Sequence, residues 1–113
     1  MKLLELFSGI GGFSLGFEKA GYKFDWIGYS EIDKYANEVF ERRFPNAVKL
    51  GSITDVRCED LPEDITILSG GFPCQAFSIA GKREGFNDTR GTLFFEIARI
   101  LRYFVDIKKP IPY

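Results

Sequence analysis

One cysteine in this chain stands in a context suited to chemistry. The segment 70–78, GGFPCQAFS, follows a short apolar run and places Cys74 directly after a proline. Pro73 has a fixed φ and biases Phe72 toward an extended conformation, so the thiol leaves the strand end in a defined direction. Because the thiolate is the nucleophilic form of cysteine, we predict that Cys74 is a nucleophile. A buried, inert thiol is the alternative for any single cysteine.

The composition excludes several other kinds of site. The 113 residues include no histidine, so a Cys-His catalytic pair is excluded. Cys58 and Cys74 do not form a CxxC pair, which argues against a zinc site or a disulfide framework. The apolar runs are much shorter than a membrane span, and the N-terminus lacks the pattern of a secretory signal. We therefore predict one folded domain with a cytoplasmic location.

Strand and helix patterns alternate along the chain. Apolar runs predict short strands over 2–7, 23–29, 47–50 and 65–68, and helical patterns predict helices over 12–20, 33–44 and 91–104. The acidic stretch 59–64 is predicted to be a surface loop, and 79–89 a long loop. Alternating strands and helices predict an α/β fold, a Rossmann-like doubly wound parallel sheet of about four strands. Ligands bind such sheets at the carboxyl ends of the strands.

Four candidate residues fall at the carboxyl ends of successive predicted strands: Gly9, Glu31, Ser52 and Cys74. The glycine-rich turn leaves main-chain N–H groups at a helix N-terminus, where a carboxylate or phosphate can bind. Glu31 lies 22 residues after Gly9, a spacing suited to accepting ribose hydroxyls; an exposed carboxylate at a helix start is the alternative. The dinucleotide fingerprint needs glycine where this chain has Ser14, which disfavours NAD.

Basic side chains are concentrated near the C-terminus. Residues 1–80 carry 8 basic and 12 acidic side chains, whereas residues 81–113 carry 7 basic and 4 acidic ones. This asymmetry predicts phosphate contacts beside the cysteine loop, with a solvated surface as the alternative. The side chains concerned are Lys82, Arg83, Arg90, Arg99 and Arg102.

Five segments resemble the first five signature blocks of the DNA cytosine-5 methyltransferases, in the same order and at matching spacing. They are 7–17, 29–40, 51–56, 70–86 and 90–101, and together they cover nearly the whole chain. The resemblance implies S-adenosyl-L-methionine as the cofactor, double-stranded DNA as the partner, and a role in a bacterial restriction-modification system. A relative directed at RNA remains an alternative.

The resemblance also implies roles for individual residues. Phe7 would pack against adenine, and Ser52 would accept from the adenine amino group where family members commonly have aspartate. The implied cofactor contacts are Phe7, Ser8, Gly9, Ile10, Gly11, Gly12, Glu31, Ile32, Ser52, Ile53, Phe72, Pro73 and Leu93. Cys74 would attack C6 of a flipped cytosine. Gln75 and Ser78 would close over the base as further catalytic residues, and Lys82, Arg83 and Arg90 would contact DNA phosphates.

The sequence ends at Tyr113, where the family continues into a fifth strand with a Glu-Asn-Val block. We therefore expect the N-terminal portion of a catalytic domain: a truncated chain, a disrupted gene product or one subunit of a split enzyme. Such a portion is expected to be inactive alone, to need a complementary C-terminal chain, and to self-associate through the open edge of its fourth strand. The alternative is a non-catalytic remnant that binds the cofactor or a partner chain.

Overall fold

The fold is a single parallel sheet with helices on both faces. The computed structural model describes residues 1–70 and 91–113, and for 91–93 the backbone alone. Within these ranges the strands are β1 (Lys2–Leu6), β2 (Trp26–Ser30), β3 (Val48–Gly51) and β4 (Ile67–Gly70). They are all parallel, in the order β3-β2-β1-β4, so β1 is central and every carboxyl end lies at the same edge.

The helices divide between the two faces of the sheet. They are α1 (Gly12–Lys19), α2 (Lys34–Arg43) and α3 (Gly91–Asp106). Glu5 of β1 contacts α1, and Tyr29, its partner in the strand register, stacks on Phe40 of α2 with ring centroids 3.9 Å apart. Leu4 points to the opposite face, where it shares a buried cluster with Phe104 of α3. The predicted doubly wound α/β architecture is confirmed.

The predicted ends of the first two helices are also confirmed. Ala20 caps α1, and Gly21 follows with a φ of 95°, the left-handed conformation that glycine adopts at a helix end. At the start of α2, the Asp33 carboxylate accepts hydrogen bonds from the N–H groups of Tyr35 and Ala36. Local capping chemistry therefore sets both boundaries.

β2 begins three residues later than predicted and β4 two residues later, because tertiary packing competes with their apolar sequences. The ring of Phe17 makes edge-to-face contacts with Tyr22 and Phe24, each with centroids 5.8 Å apart, which holds the segment before β2 against α1. Ile65 is buried in the core ahead of β4 and lies outside the ladder. These residues are apolar because they pack, although they are not in strands.

The stretch 59–64 is not a simple surface loop. A 3-10 helix, Cys58–Asp60, begins in front of it, and Cys58 and Leu61 are both buried in the core cluster. The acidic side chains of 59, 60, 63 and 64 are exposed, as predicted. One turn of 3-10 helix separates the two apolar side chains by three residues, so both reach the core while the acidic ones stay in water.

The outer edge of β4 is not bare, contrary to the prediction. Lys108 has a φ of 62° and turns the chain back after α3, and Ile111 packs against the core. The N–H of Leu68 donates to the carbonyl of Tyr113 across 3.0 Å. The last residues therefore lie along β4 and satisfy part of its edge.

The longest described helix, α3, is amphipathic. It buries Ile100 and Phe104 against the sheet and exposes Phe94, Leu101 and Val105. Among the helices that the structure describes, none has the length and apolar character to cross a membrane.

Candidate functional site

The loop between β1 and α1 has an unusual backbone. Phe7, Gly9 and Gly11 have φ angles of 52°, 55° and 91°. A Cβ at Gly11 would lie 2.9 Å from the ring of Phe40, so this position needs glycine for space as well as for conformation. Phe7 has a side chain, and a left-handed backbone costs such a residue about 1–2 kcal/mol. Strain of this kind persists where the surrounding structure holds it, often at a functional site.

Hydrogen bonds donated by main-chain N–H groups join this loop to the ends of the neighbouring strands. The N–H of Ser8 donates to the carbonyl of Ser30 at 3.1 Å, and the N–H of Gly9 donates to Oε1 of Glu31 at 2.8 Å. The N–H of Glu31 in turn donates to the carbonyl of Gly51 at 3.1 Å. The structure thus brings together the candidate residues that the sequence placed at the ends of β1, β2 and β3.

Glu31 is the centre of this hydrogen-bond network. Its Oε2 accepts from the N–H groups of Ile32 at 2.9 Å and Asp33 at 3.0 Å, and its carbonyl accepts from the side-chain amide of Asn37 at 2.9 Å. An ionised carboxylate has about four acceptor positions, and main-chain donors occupy three of them here. Counting only donors from the described residues, one position on Oε1 is left for a ribose hydroxyl. A second hydroxyl would have to displace one of the exposed bonds to Ile32 or Asp33.

The turn after β3 carries Ser52 and Ile53. The hydroxyl of Ser52 caps a 3-10 helix, Ile53–Asp55, by accepting from the N–H of Thr54 at 3.3 Å, and it also lies 2.9 Å from the Thr54 hydroxyl. A hydroxyl has two acceptor positions, so Ser52 keeps one only when it acts as the donor to Thr54. The side chain of Ile53 is buried in the core. A ligand at this edge would therefore contact Ile53 through its main chain.

Exposed apolar side chains flank the network. Ile32 is 79% exposed directly after Glu31, and Ile10 is 50% exposed in the glycine loop.

Ser8 is buried, and among the described residues its hydroxyl has no hydrogen-bond partner. Unpaired buried hydroxyls are costly, which makes Ser8 a position where a bound molecule could supply the missing partner.

Glu5 lies beside the candidate site and was not among the residues predicted from the sequence. It is fully buried on β1, where Oε1 accepts from both the N–H and the hydroxyl of Ser14 in the first turn of α1. Burial raises the pKa of Glu5, while hydrogen bonds from Ser14 and from the N–H of Phe13 oppose that increase. In the sequence, the only indication of this buried carboxyl group is a single acidic residue inside an apolar strand. The protein's own carboxyl group thus occupies N-terminal amides of α1.

The predicted nucleophile and its neighbours lie outside the described residues. These are Phe72, Pro73, Cys74, Gln75, Ser78, Lys82, Arg83 and Arg90, as well as the side chain of Leu93. What the structure does describe is the end of β4, where Gly70 is in register with Leu6. A Cβ on Gly70 would lie 2.8 Å from the carbonyl oxygen of Leu6, so the chain enters the cysteine segment in close contact with the end of β1.

The fold and this edge together define a class of protein. A parallel sheet with a glycine-rich loop after its first strand and a carboxylate at the end of its second is typical of Rossmann-like domains. The sequence model of the family described as C-5 cytosine-specific DNA methylase matches residues 1–106. The chain belongs to this family.

Curated relatives agree with this assignment. Type II methyltransferase M.NgoBV of Neisseria gonorrhoeae is 49% identical over 97% of this chain and 26% of its own length. M.HhaI of Haemophilus parahaemolyticus is 50% identical over 90% of this chain and 30% of its own. M.HaeII of Haemophilus aegyptius is 51% identical over 96% and 32%. The chain spans about a quarter to a third of the relatives it matches.

Proposed function

We propose that this chain supplies the cofactor-binding loop and the nucleophile of a DNA cytosine-5 methyltransferase from a bacterial restriction-modification system. The observation that carries the proposal is the 2.8 Å hydrogen bond between the N–H of Gly9 and the carboxylate of Glu31. It joins the glycine loop to the acidic end of β2 at one edge of the sheet, where Rossmann-like domains bind a nucleoside.

The polar groups of the edge favour S-adenosyl-L-methionine over a dinucleotide. A dinucleotide places its pyrophosphate on the N-terminal amides of the first helix, but here Glu5 accepts from the N–H of Ser14 in that turn. Because this carboxyl group already accepts from the amide that a phosphate would use, the turn disfavours a pyrophosphate, and S-adenosyl-L-methionine has none. S-adenosyl-L-methionine, when bound, supplies the methyl group of its sulfonium, which C5 of cytosine takes up while the thioether product departs.

Described residues fit the nucleoside portion of such a cofactor. The free acceptor position of Glu31 would bind one ribose hydroxyl. Ile32, exposed beside it, and Phe7 would contact the faces of the adenine ring, and Ser52 would accept from its amino group. Ser8 to Gly12 would surround the methionine portion, with the unpaired hydroxyl of Ser8 as a polar contact.

Cys74 would act on cytosine after the base has left the duplex. The thiolate forms a bond from sulfur to C6. The π electrons of the C5–C6 double bond then shift into the ring, which makes C5 nucleophilic. Once C5 carries the methyl group, a base removes the C5 proton. The electron pair of that C–H bond re-forms the C5–C6 double bond, and the sulfur–C6 bond breaks to release the thiolate. Gln75 and Ser78 would hold the flipped base, and Lys82, Arg83 and Arg90 would contact DNA phosphates.

Residues 1–113 alone are expected to be inactive. The resemblance assigns protonation of the ring nitrogen to a glutamate in a block after this segment, and general acid help is typically worth about 10²- to 10⁴-fold. Transfer of labelled methyl groups to duplex DNA should require both this chain and a polypeptide carrying the later blocks. Cys74→Ala should then abolish transfer. Robust turnover by the 113-residue chain alone would contradict this expectation.

The decisive experiment for the site measures binding of S-adenosylhomocysteine by calorimetry. Glu31→Ala should weaken binding at least about tenfold, because it removes a charged acceptor from the ribose. Glu38→Ala is the matched control, since Glu38 is an exposed carboxylate on the adjoining helix. Equal affinity of wild type and Glu31→Ala would remove Glu31 from the site. Binding without restored methyl transfer would identify a non-catalytic cofactor-binding chain.

A further inference from the structure

Arg99 on α3 points its guanidinium group toward the turn that follows β3. Its Nη2 donates to the carbonyl of Ile53 at 3.1 Å, and its Nη1 lies 3.6 Å from the sulfur of Cys58. Its Nε donates to the Glu96 carboxylate at 2.8 Å, and Nη2 is also 2.8 Å from the same oxygen. All three nitrogens are therefore engaged within the protein. The side chain is nevertheless 39% exposed, as expected for a surface position, and the phosphate contact predicted for Arg99 stays a prediction.

The turn that Arg99 reaches is held by the buried side chains of Ile53 and Val56 and by its own hydrogen bonds. Ser52 caps it, and two short-range bonds close it: Asp55 N–H to the Ser52 carbonyl at 2.9 Å, and Val56 N–H to the Ile53 carbonyl at 3.3 Å. Poor hydrogen-bond geometry makes a single 3-10 turn weak by itself. Arg99 adds a charged donor to the carbonyl of Ile53 from a separate helix. Hydrogen bonds of this kind are roughly twice as strong as neutral ones.

We propose that Arg99 is a positioning residue that fixes the 52–56 turn at the adenine end of the cofactor site. The inference rests on the proposed function for its ligand, because Ser52 is the residue assigned to the adenine amino group. In this proposal Arg99 acts through the turn and not by direct contact with the cofactor. It holds the carbonyl of Ile53, and with it the orientation of the adjacent Ser52 hydroxyl. Glu96 balances the charge and keeps the guanidinium plane turned toward Ile53.

The first test needs no ligand. Amide hydrogen exchange of Asp55 and Val56 reports closure of the turn, and Arg99→Met should speed exchange at both amides by about tenfold or more, the loss of one charged hydrogen bond. Arg99→Lys should restore part of the protection, because one ammonium can still donate to Ile53. The control is Arg102→Met, a change of the same type at an exposed position of the same helix. Unchanged exchange in Arg99→Met, or an equal change in Arg102→Met, would overturn the proposal.

The second test asks whether Arg99 acts through Ser52. Calorimetry with S-adenosylhomocysteine should show that Arg99→Met weakens binding about tenfold in the wild-type background and much less in a Ser52→Ala background. Additive losses would mean that Arg99 does not act through this residue, and would overturn the proposal. If Arg99→Met does not fold, the same cycle is measured with Arg99→Lys. If wild type itself binds no S-adenosylhomocysteine, the proposed function fails, and the exchange measurement still decides the role of Arg99.

Discussion

The two edges of the sheet are held together in different ways. At the amino edge, the ammonium of Met1 lies 2.9 Å from Asp25, and Lys2 lies 2.7 Å from Asp64; both carboxylates are exposed. At the carboxyl edge, Glu31 binds main-chain N–H groups, and three backbone positions of the loop have left-handed φ angles. Exposed ion pairs tolerate change, whereas buried groups and special backbone conformations do not. We therefore expect substitutions at the carboxyl edge to cost more stability than substitutions at the amino edge.

The largest expected effect comes from the carboxyl-edge loop. Gly11→Ala should lower the free energy of unfolding by about 2–5 kcal/mol, because the new Cβ meets both an unfavourable φ and the ring of Phe40. Gly9→Ala is the matched control: its φ is 55° with no atom within 4 Å, so about 1–2 kcal/mol is expected. Urea denaturation compares the two. Equal losses would mean that contact with α2 does not constrain this loop.

A smaller effect is expected from the side chain that supports Glu31. Asn37 is buried, and its amide donates to the carbonyl of Glu31 at 2.9 Å. Asn37→Ala removes the donor and should lower the free energy of unfolding by about 1–3 kcal/mol. Glu38→Ala, an exposed change in the same helix, should stay within about 0.5 kcal/mol. A loss no greater than that of the control would show that this bond does not stabilise the edge.

The pH dependence of stability should reveal the raised pKa of Glu5. Because its pKa is raised above 4.5 in the folded state, the folded protein retains a proton that the unfolded chain releases. The resulting stabilisation is complete below about pH 4.5 and is lost as the pH rises through the raised pKa. The free energy of unfolding of wild type minus that of Glu5→Gln should therefore fall over this range, since the amide of the variant does not titrate. A difference that is independent of pH would contradict the assignment.

The smallest effect belongs to the amino edge. The Lys2 ammonium lowers the pKa of Asp64, mainly through their hydrogen bond. The stability that this ion pair contributes is therefore present above pH 3.8 and is lost as the pH falls through the lower folded pKa. Asp64→Asn should reduce stability less than Gly11→Ala or Asn37→Ala, and 1 M salt should remove most of the difference from wild type. A loss comparable to that of Gly11→Ala would reverse the contrast between the two edges.

Local sequence signals were sufficient for much of the fold. Alternating apolar runs, Asp33 and Gly21 located the sheet and the helix ends, because capping depends on residues a few positions apart. The start of β2 and the burial of Leu61 were not predictable in this way. An apolar side chain is equally suited to a strand and to a packed turn, and long-range contacts decide between them.

The candidate site divides similarly. The sequence by itself determined the glycine loop, Glu31 and Ser52, since in a parallel sheet residues at strand ends converge without further information. Only the tertiary structure decided what these groups contact: that Glu31 already holds three main-chain N–H groups, that Glu5 occupies the start of α1, and that Arg99 turns inward to Ile53. The bonds from Gly9 to Glu31 and from Arg99 to Ile53 join residues 22 and 46 positions apart. Their geometry depends on how whole strands and helices pack, which residue type and spacing do not encode.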